Sequence, residues 1–164
     1  MTKSIQLKVL ADWNKLESVR DESSQFLKSQ GLSSEAVDTL TMVISELAEN
    51  AIKYGAFTEH KNDLTIVVSL DPGIATVEVI NPVDEQTFPR LKTLDTTIQW
   101  IRGYQDPFEA YVEKLQDVSK KPLADHTSGL GLTRIAYEGK AVLDFFVDGS
   151  NMLNVSAVRR GEGI

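Results

Sequence analysis

The sequence has no cysteine among its 164 residues. Disulfides, a thiolate nucleophile and cysteine–zinc sites are thereby excluded. Only two histidines are present, His60 and His126, which argues against a histidine-rich metal site. Basic residues are in deficit: 17 Lys and Arg stand against 24 Asp and Glu, for a formal net charge of −7. No nucleic-acid partner is expected, because a phosphate backbone selects a basic surface. The deficit still allows a local basic pocket for a nucleotide. Long apolar runs are also missing, and none nears the ~20 residues of a membrane span. The first residues, MTKSIQLKVLADWNK, show neither the apolar stretch nor the small-residue cleavage pattern of a leader. The expectation is a cytoplasmic protein with no membrane partner. Hydrophobic residues make up 41% and charged residues 25%, which suits a folded chain with a real core. The length suits a single domain over residues 1–164.

Periodicity supplies the elements. Ser4 to Leu10 alternates, with Ile5, Leu7 and Val9 on one face, and predicts a half-buried strand. Asp12 is placed to cap a following helix, and Gly31 to end it. Trp13 and Phe26 are expected in the core. Ser33 or Ser34 opens a second helix to about Tyr54, with Val37, Leu40, Ile44, Leu47 and Ala51 at spacings of three and four. Leu64–Leu70 and Ile74–Ile80 read as a hairpin around Asp71-Pro72-Gly73, and Asn81-Pro82 stops its second strand. Residues 83–128 are polar and read as a variable insert, with helical spacing over Leu94–Tyr104 and Pro107–Lys120. Its Trp100, Tyr104, Phe108 and Tyr111 form either a small core of their own or a partner surface. A short helix runs from Leu130 to about Glu138. Ala141–Val147 and Met152–Val158 form a second hairpin. Hairpins predict antiparallel pairing, and the helices can share one face. The fold class is α+β, a two-layer α/β sandwich with a mixed, mostly antiparallel sheet.

Three places could carry chemistry. In ISELAENAIKYG, Glu46, Asn50 and Lys53 fall within an arc of about 60° at ~100° per residue. A carboxylate can act as a base, an amide oxygen is a hard ligand suited to Mg²⁺, and an ammonium can meet a phosphate. The plainer reading is a solvated helix face. In Thr127-Ser128-Gly129-Leu130-Gly131-Leu132, two glycines bring backbone close to a ligand, and the helix start favours an anion such as phosphate. His126 and Arg134 could add donors. The plainer reading is a loop-to-helix entry capped by Ser128. Asn81-Pro82-Val83-Asp84-Glu85 follows a strand, where ligand contacts often gather. An ordinary proline-stopped strand is the alternative.

Taken together and in this order, the first two motifs resemble the histidine-kinase-like ATPase superfamily, which has the Bergerat ATP-binding fold. Within it the chain is most similar to the anti-sigma-factor serine kinases, regulators of partner switching in bacteria. The resemblance spans roughly Ser4 to Arg160, and its specific parts are ISELAENAIKYG and SGLGLTRIAYEG. It implies Mg²⁺ and ATP as cofactors, Glu46 as general base, Asn50 as Mg²⁺ ligand and Lys53 near the phosphates. It also implies that Thr127, Ser128, Gly129, Leu130, Gly131 and Leu132 wrap the phosphates. The partner implied is a small regulatory protein of the anti-sigma-antagonist type, or a sigma factor. A homodimer is implied as well. One motif departs from the family. An Asp-x-Gly-x-Gly loop usually follows the hairpin, its aspartate receiving the adenine amino group. Here Asn81 leads Pro82-Val83-Asp84-Glu85, with an uncharged acceptor and neither glycine. The exchange of a charged for a neutral acceptor is worth about 1–3 kcal/mol, roughly tenfold to a hundredfold in affinity.

Three readings therefore stand side by side. The first is a regulatory kinase that phosphorylates a serine on a small partner. The second is a nucleotide-free module on the same fold, acting by protein contacts through its insert. The third is a sensor of another small anion, held at the helix start alone.

Overall fold

The computed structural model describes residues 1–120 and 130–164. The expected places of His126, Thr127, Ser128 and Gly129 lie outside the described residues. Strand β1 (Lys3–Leu10) is followed by a 3-10 turn (Trp13–Lys15), α1 (Leu16–Ser29) and α2 (Ser34–Tyr54). Then come β2 (Asp63–Asp71), β3 (Ile74–Pro82), α3 (Phe88–Arg102), α4 (Pro107–Ser119), α5 (Leu130–Tyr137), β4 (Ala141–Val147) and β5 (Met152–Arg160). The strands form one sheet in the order β1-β2-β3-β5-β4, with every neighbouring pair antiparallel.

Local chemistry explains the element ends. Asp12 accepts a hydrogen bond from Asn14 N–H at 2.9 Å and sets the turn before α1. Ser33, rather than Ser34, caps α2 by accepting from Ala36 N–H. Gly31 takes φ +81°, a conformation that stops α1 without strain. Strand β3 does not stop at Asn81 but runs through Pro82, which pairs with Met152. Pairing with β2 has already ended at Ile80, so the N–H that proline lacks is not missed on that side.

One face of the sheet is the core. Leu64, Ile66, Val68, Val77, Val79 and Leu143 lie buried against Leu40, Ile44, Leu47, Leu27 and Ile135 of the helices. Each such side chain contributes about 1.5–3 kcal/mol through burial. The alternate residues of the strands point away from this layer, and on β4 Val142 and Phe146 are each 56% exposed. The two-layer α/β sandwich expected from the sequence is thus present, with its helices on one face.

The insert is more integrated than its composition predicts. Ile98, Ile101 and Ala110 are buried, and α3 packs on β4 and α5. The rings of Phe108 and Tyr111 lie 5.1 and 5.2 Å from that of Tyr137 on α5. These two aromatics thus belong to the α4–α5 contact, while Trp100 and Tyr104 pack edge to face. Among the described residues, no helix is long and apolar enough to cross a membrane.

Candidate functional site

A cleft of about 640 Å³ opens between α2, the insert, α5 and the ends of β3 and β5. The amphipathic pattern of α2 places it. Val43, Leu47 and Ala51 turn into the core, so the residues a third of a turn away face the cleft. Glu46, Asn50 and Lys53 all line it, as do Asn81, Gly131 and Leu132. Six described candidates thus meet at one cavity, whereas Leu130, Arg134, Pro82, Asp84 and Glu85 do not line it. Its apolar floor is formed by Leu47, Ala51, Val79, Leu132 and Leu153.

Glu46 is held from α5. Its side chain is 19% exposed. Arg134 Nη1 donates to its Oε1 at 3.0 Å, and Arg134 Nε donates to Glu138 Oε2 at 2.7 Å. Burial raises the Glu46 carboxyl above its ordinary value, and the charge of Glu49 adds to this; the arginine pulls the other way without cancelling it. Glu49 itself accepts a hydrogen bond from Arg20 at 3.2 Å.

Asn81 is 3% exposed. Its amide N–H donates to the carbonyl of Pro82 at 3.1 Å, and Ala56 N–H donates to the same carbonyl at 2.9 Å. The segment that departs from the Asp-x-Gly-x-Gly pattern is therefore a strand end tied to the chain after α2, with Val83 N–H donating to Asn151 C=O at 2.9 Å.

Sequence reasoning missed several residues of the cleft. Tyr54 lines it, and the Lys53 ammonium and Arg90 guanidinium lie 5.1 and 5.2 Å from its ring centre. A signal for Tyr54 was available, since it follows Asn50 by four residues and shares its face. Arg90 of α3 and Lys114 of α4 also line the cleft, and no local pattern marks them. Trp13 was expected in the core but is 54% exposed at the cleft rim, because the 3-10 turn precedes the apolar stripe of α1.

The donor set bears on the implied cofactors. Among the described residues, no group of three or more His, Cys, Asp or Glu is placed to hold a metal. Mg²⁺ needs no such cage when substrate phosphates supply its oxygens, and one amide such as Asn50 suits that arrangement. Lys53, Arg90 and Lys114 give the cleft a cationic share in an otherwise acidic protein, which fits an anionic ligand.

At the level of sequence, no family profile and no curated relative matches the chain. Solved structures do match. A chain in the SiaB–SiaC complex from Pseudomonas aeruginosa superposes over 94% of this chain and 88% of its own, with TM-score 0.72 and 18% identity. A chain holding the RsbU and RsbW domains of Rv1364c from Mycobacterium tuberculosis covers 96% of this chain and 32% of its own, with TM-score 0.57 and 14% identity. At these identities the likeness is one of fold, and the chain shares the fold of these two structures, as the resemblance carried by its motifs led one to expect.

Proposed function

We propose that the chain is a regulatory serine kinase of the partner-switching type, using Mg·ATP to phosphorylate a serine on a small partner protein. The observation that carries this reading is the convergence of Glu46, Asn50, Lys53 and Gly131 on one cleft. Glu46 is the general base for the partner's hydroxyl. Asn50 offers its amide oxygen to Mg²⁺, which would neutralise phosphate charge. Lys53 faces the phosphates, and Asn81 offers a neutral acceptor to the base. Positioning and charge stabilisation are the main demands of such a transfer. The fold neighbours support a regulatory role, since one is a two-protein complex and the other holds RsbU and RsbW domains. A small regulatory protein of the anti-sigma-antagonist type, or a sigma factor, is the proposed partner. A second copy of the chain is proposed on the open sheet face that presents Val142 and Phe146. Phe146→Lys is then expected to lower the mass measured by light scattering to that of one chain.

A second reading is favoured by one observation. No glycine turn follows β3, and its end is tied down by Ala56 N–H donating to Pro82 C=O and Val83 N–H donating to Asn151 C=O. On that reading the chain binds no nucleotide and acts by protein contact alone. Calorimetric titration of ATP, with and without Mg²⁺ and with Asn50→Ala as control, decides between the two. Magnesium-dependent binding that is lost in the variant supports the kinase. No binding up to millimolar ATP supports the nucleotide-free module.

A further inference from the structure

The reading of Glu46 as a base leaves two questions: which oxygen takes the proton, and what holds the carboxylate in place. Two residues of α5, three apart and hence on one face, meet the two oxygens in different ways. Arg134 Nη1 donates to Oε1 at 3.0 Å. Gly131 faces Oε2, and a Cβ placed on that glycine would stand 2.5 Å from the oxygen. The arginine is held in turn by Glu138, which accepts from its Nε at 2.7 Å. Both Glu46 and Gly131 line the cleft.

We propose that Arg134 is the positioning residue of this site: anchored by Glu138, it grips one oxygen of Glu46 and leaves the other, against the bare backbone of Gly131, as the proton acceptor. This rests on the proposed role of Glu46. In the transfer, the partner's hydroxyl proton passes to Oε2. The hydroxyl oxygen bonds the γ-phosphorus, the bond from that phosphorus to the bridging oxygen breaks, and ADP leaves. Arg134 gives up no proton at any stage, because a guanidinium stays charged. Its charge on Oε1 opposes the burial that favours the protonated, unreactive carboxyl. The other charged groups around Glu46 are Glu49 on its own helix, with Arg20 of α1 upon it, and Glu138 on α5. Lys53 of α2, Arg90 of α3 and Lys114 of α4 line the same cleft.

The test is a carbon-detected NMR titration of glutamate carboxyls in the full chain, with Glu46 assigned by its loss in Glu46→Gln. It needs neither nucleotide nor partner. In Arg134→Ala and Arg134→Gln, half-protonation of Glu46 is expected to move up by about one pH unit, a tenfold gain in proton affinity. Arg134→Lys is expected to recover part of that shift. The same variants are expected to lower kcat with KM for ATP unchanged, and to move the acid limb of the pH–rate profile upward. Arg134 is 43% exposed, so its loss leaves the core intact; unchanged amide spectra away from the cleft check this. Titration of Glu46 at the wild-type pH in both Ala and Gln variants overturns the proposal. Absence of transfer by the wild type, with the titration shifted, counts against the kinase reading and leaves the arginine's hold on Glu46 standing.

Discussion

Gly131 and Glu46 are complementary: the space where a Cβ on Gly131 would sit is filled by the Glu46 carboxylate, whose Oε2 is 2.5 Å from that point. In Gly131→Ala the carboxylate is the group that yields, since it is the far end of a flexible side chain. Alanine gains up to about 1 kcal/mol of helix propensity, which offsets part of the displacement. Melting temperature is therefore expected to change little. Glu46 loses its alignment, and phosphotransfer is expected to fall at least tenfold. A fully active Gly131→Ala protein would show that the glycine serves helix packing alone.

The raised carboxyl of Glu46 makes stability depend on pH. Burial first, then the charge of Glu49, favours the protonated form in the folded state. Between the ordinary value near 4.5 and the higher folded one, the folded chain holds more proton than the unfolded chain. Stability from this group is complete below the lower value and is lost as pH rises through the upper one. Glu46→Gln removes that titration. Relative to wild type, the variant is expected to be more stable near neutral pH than it is near pH 4. Denaturant midpoints at the two pH values check it, and an equal difference at both would contradict the assignment.

Asn81 makes a converse case. Asn81→Asp restores the charged acceptor of the related motif but places a carboxylate, 3% exposed, where an amide now donates to Pro82. Loss of that bond and burial of the charge are expected to cost about 1–3 kcal/mol in the free protein. ATP affinity is expected to rise about tenfold to a hundredfold, because the exocyclic amine gains a charged partner. Thermal melts with and without ATP separate the two effects. An equal loss of stability in both conditions would remove position 81 from the base site.

These residues also show what the sequence made legible. Val37, Leu40, Ile44 and Leu47 recur at helical spacing, so α2 and its polar ridge were readable, and Glu46 and Asn50 with them. The alternation in β1 gave its half-buried face, and the turn residues Asp71-Pro72-Gly73 gave the β2–β3 hairpin. What escaped depends on partners far along the chain. Arg134 stands 88 residues from Glu46, and no local pattern foretells their contact. Arg90 and Lys114 reach the cleft only because buried Ile98, Ile101 and Ala110 seat the insert. Trp13 was misplaced because its spacing to Leu16 and Val19 extends the α1 stripe into residues that form a 3-10 turn, and Pro82 because proline stops a strand only where its N–H is needed.

Gly139 is a stability position outside the site. It is buried, and a Cβ there would meet the carbonyl of Ile135 and stand 2.8 Å from Val43 Cγ2. Neither neighbour is the free end of a flexible side chain. Gly139→Ala is expected to cost about 1–3 kcal/mol by overpacking. At roughly 2–4 °C per kcal/mol for a chain this long, calorimetry should resolve it. Calorimetry of Gly139→Ala beside Gly131→Ala then contrasts a glycine needed for folding with one needed for the cleft, and equal melting losses in the two would erase that distinction.

Tyr54 lines the same cleft as Asn81 and Asn50, with the Lys53 and Arg90 cations over its ring. A purine that displaces one of these cations and stacks on the ring gains about 1–3 kcal/mol. Tyr54→Phe keeps the face and Tyr54→Ala removes it, so ATP affinity is expected to stay near wild type in the first and fall about tenfold or more in the second. Triphosphate alone lacks the base, and its binding is expected to be the same in all three proteins. A parallel loss of triphosphate binding in Tyr54→Ala would mean that the ring acts by holding Lys53 and Arg90 in place, and the base would then have to be sought elsewhere along the apolar floor.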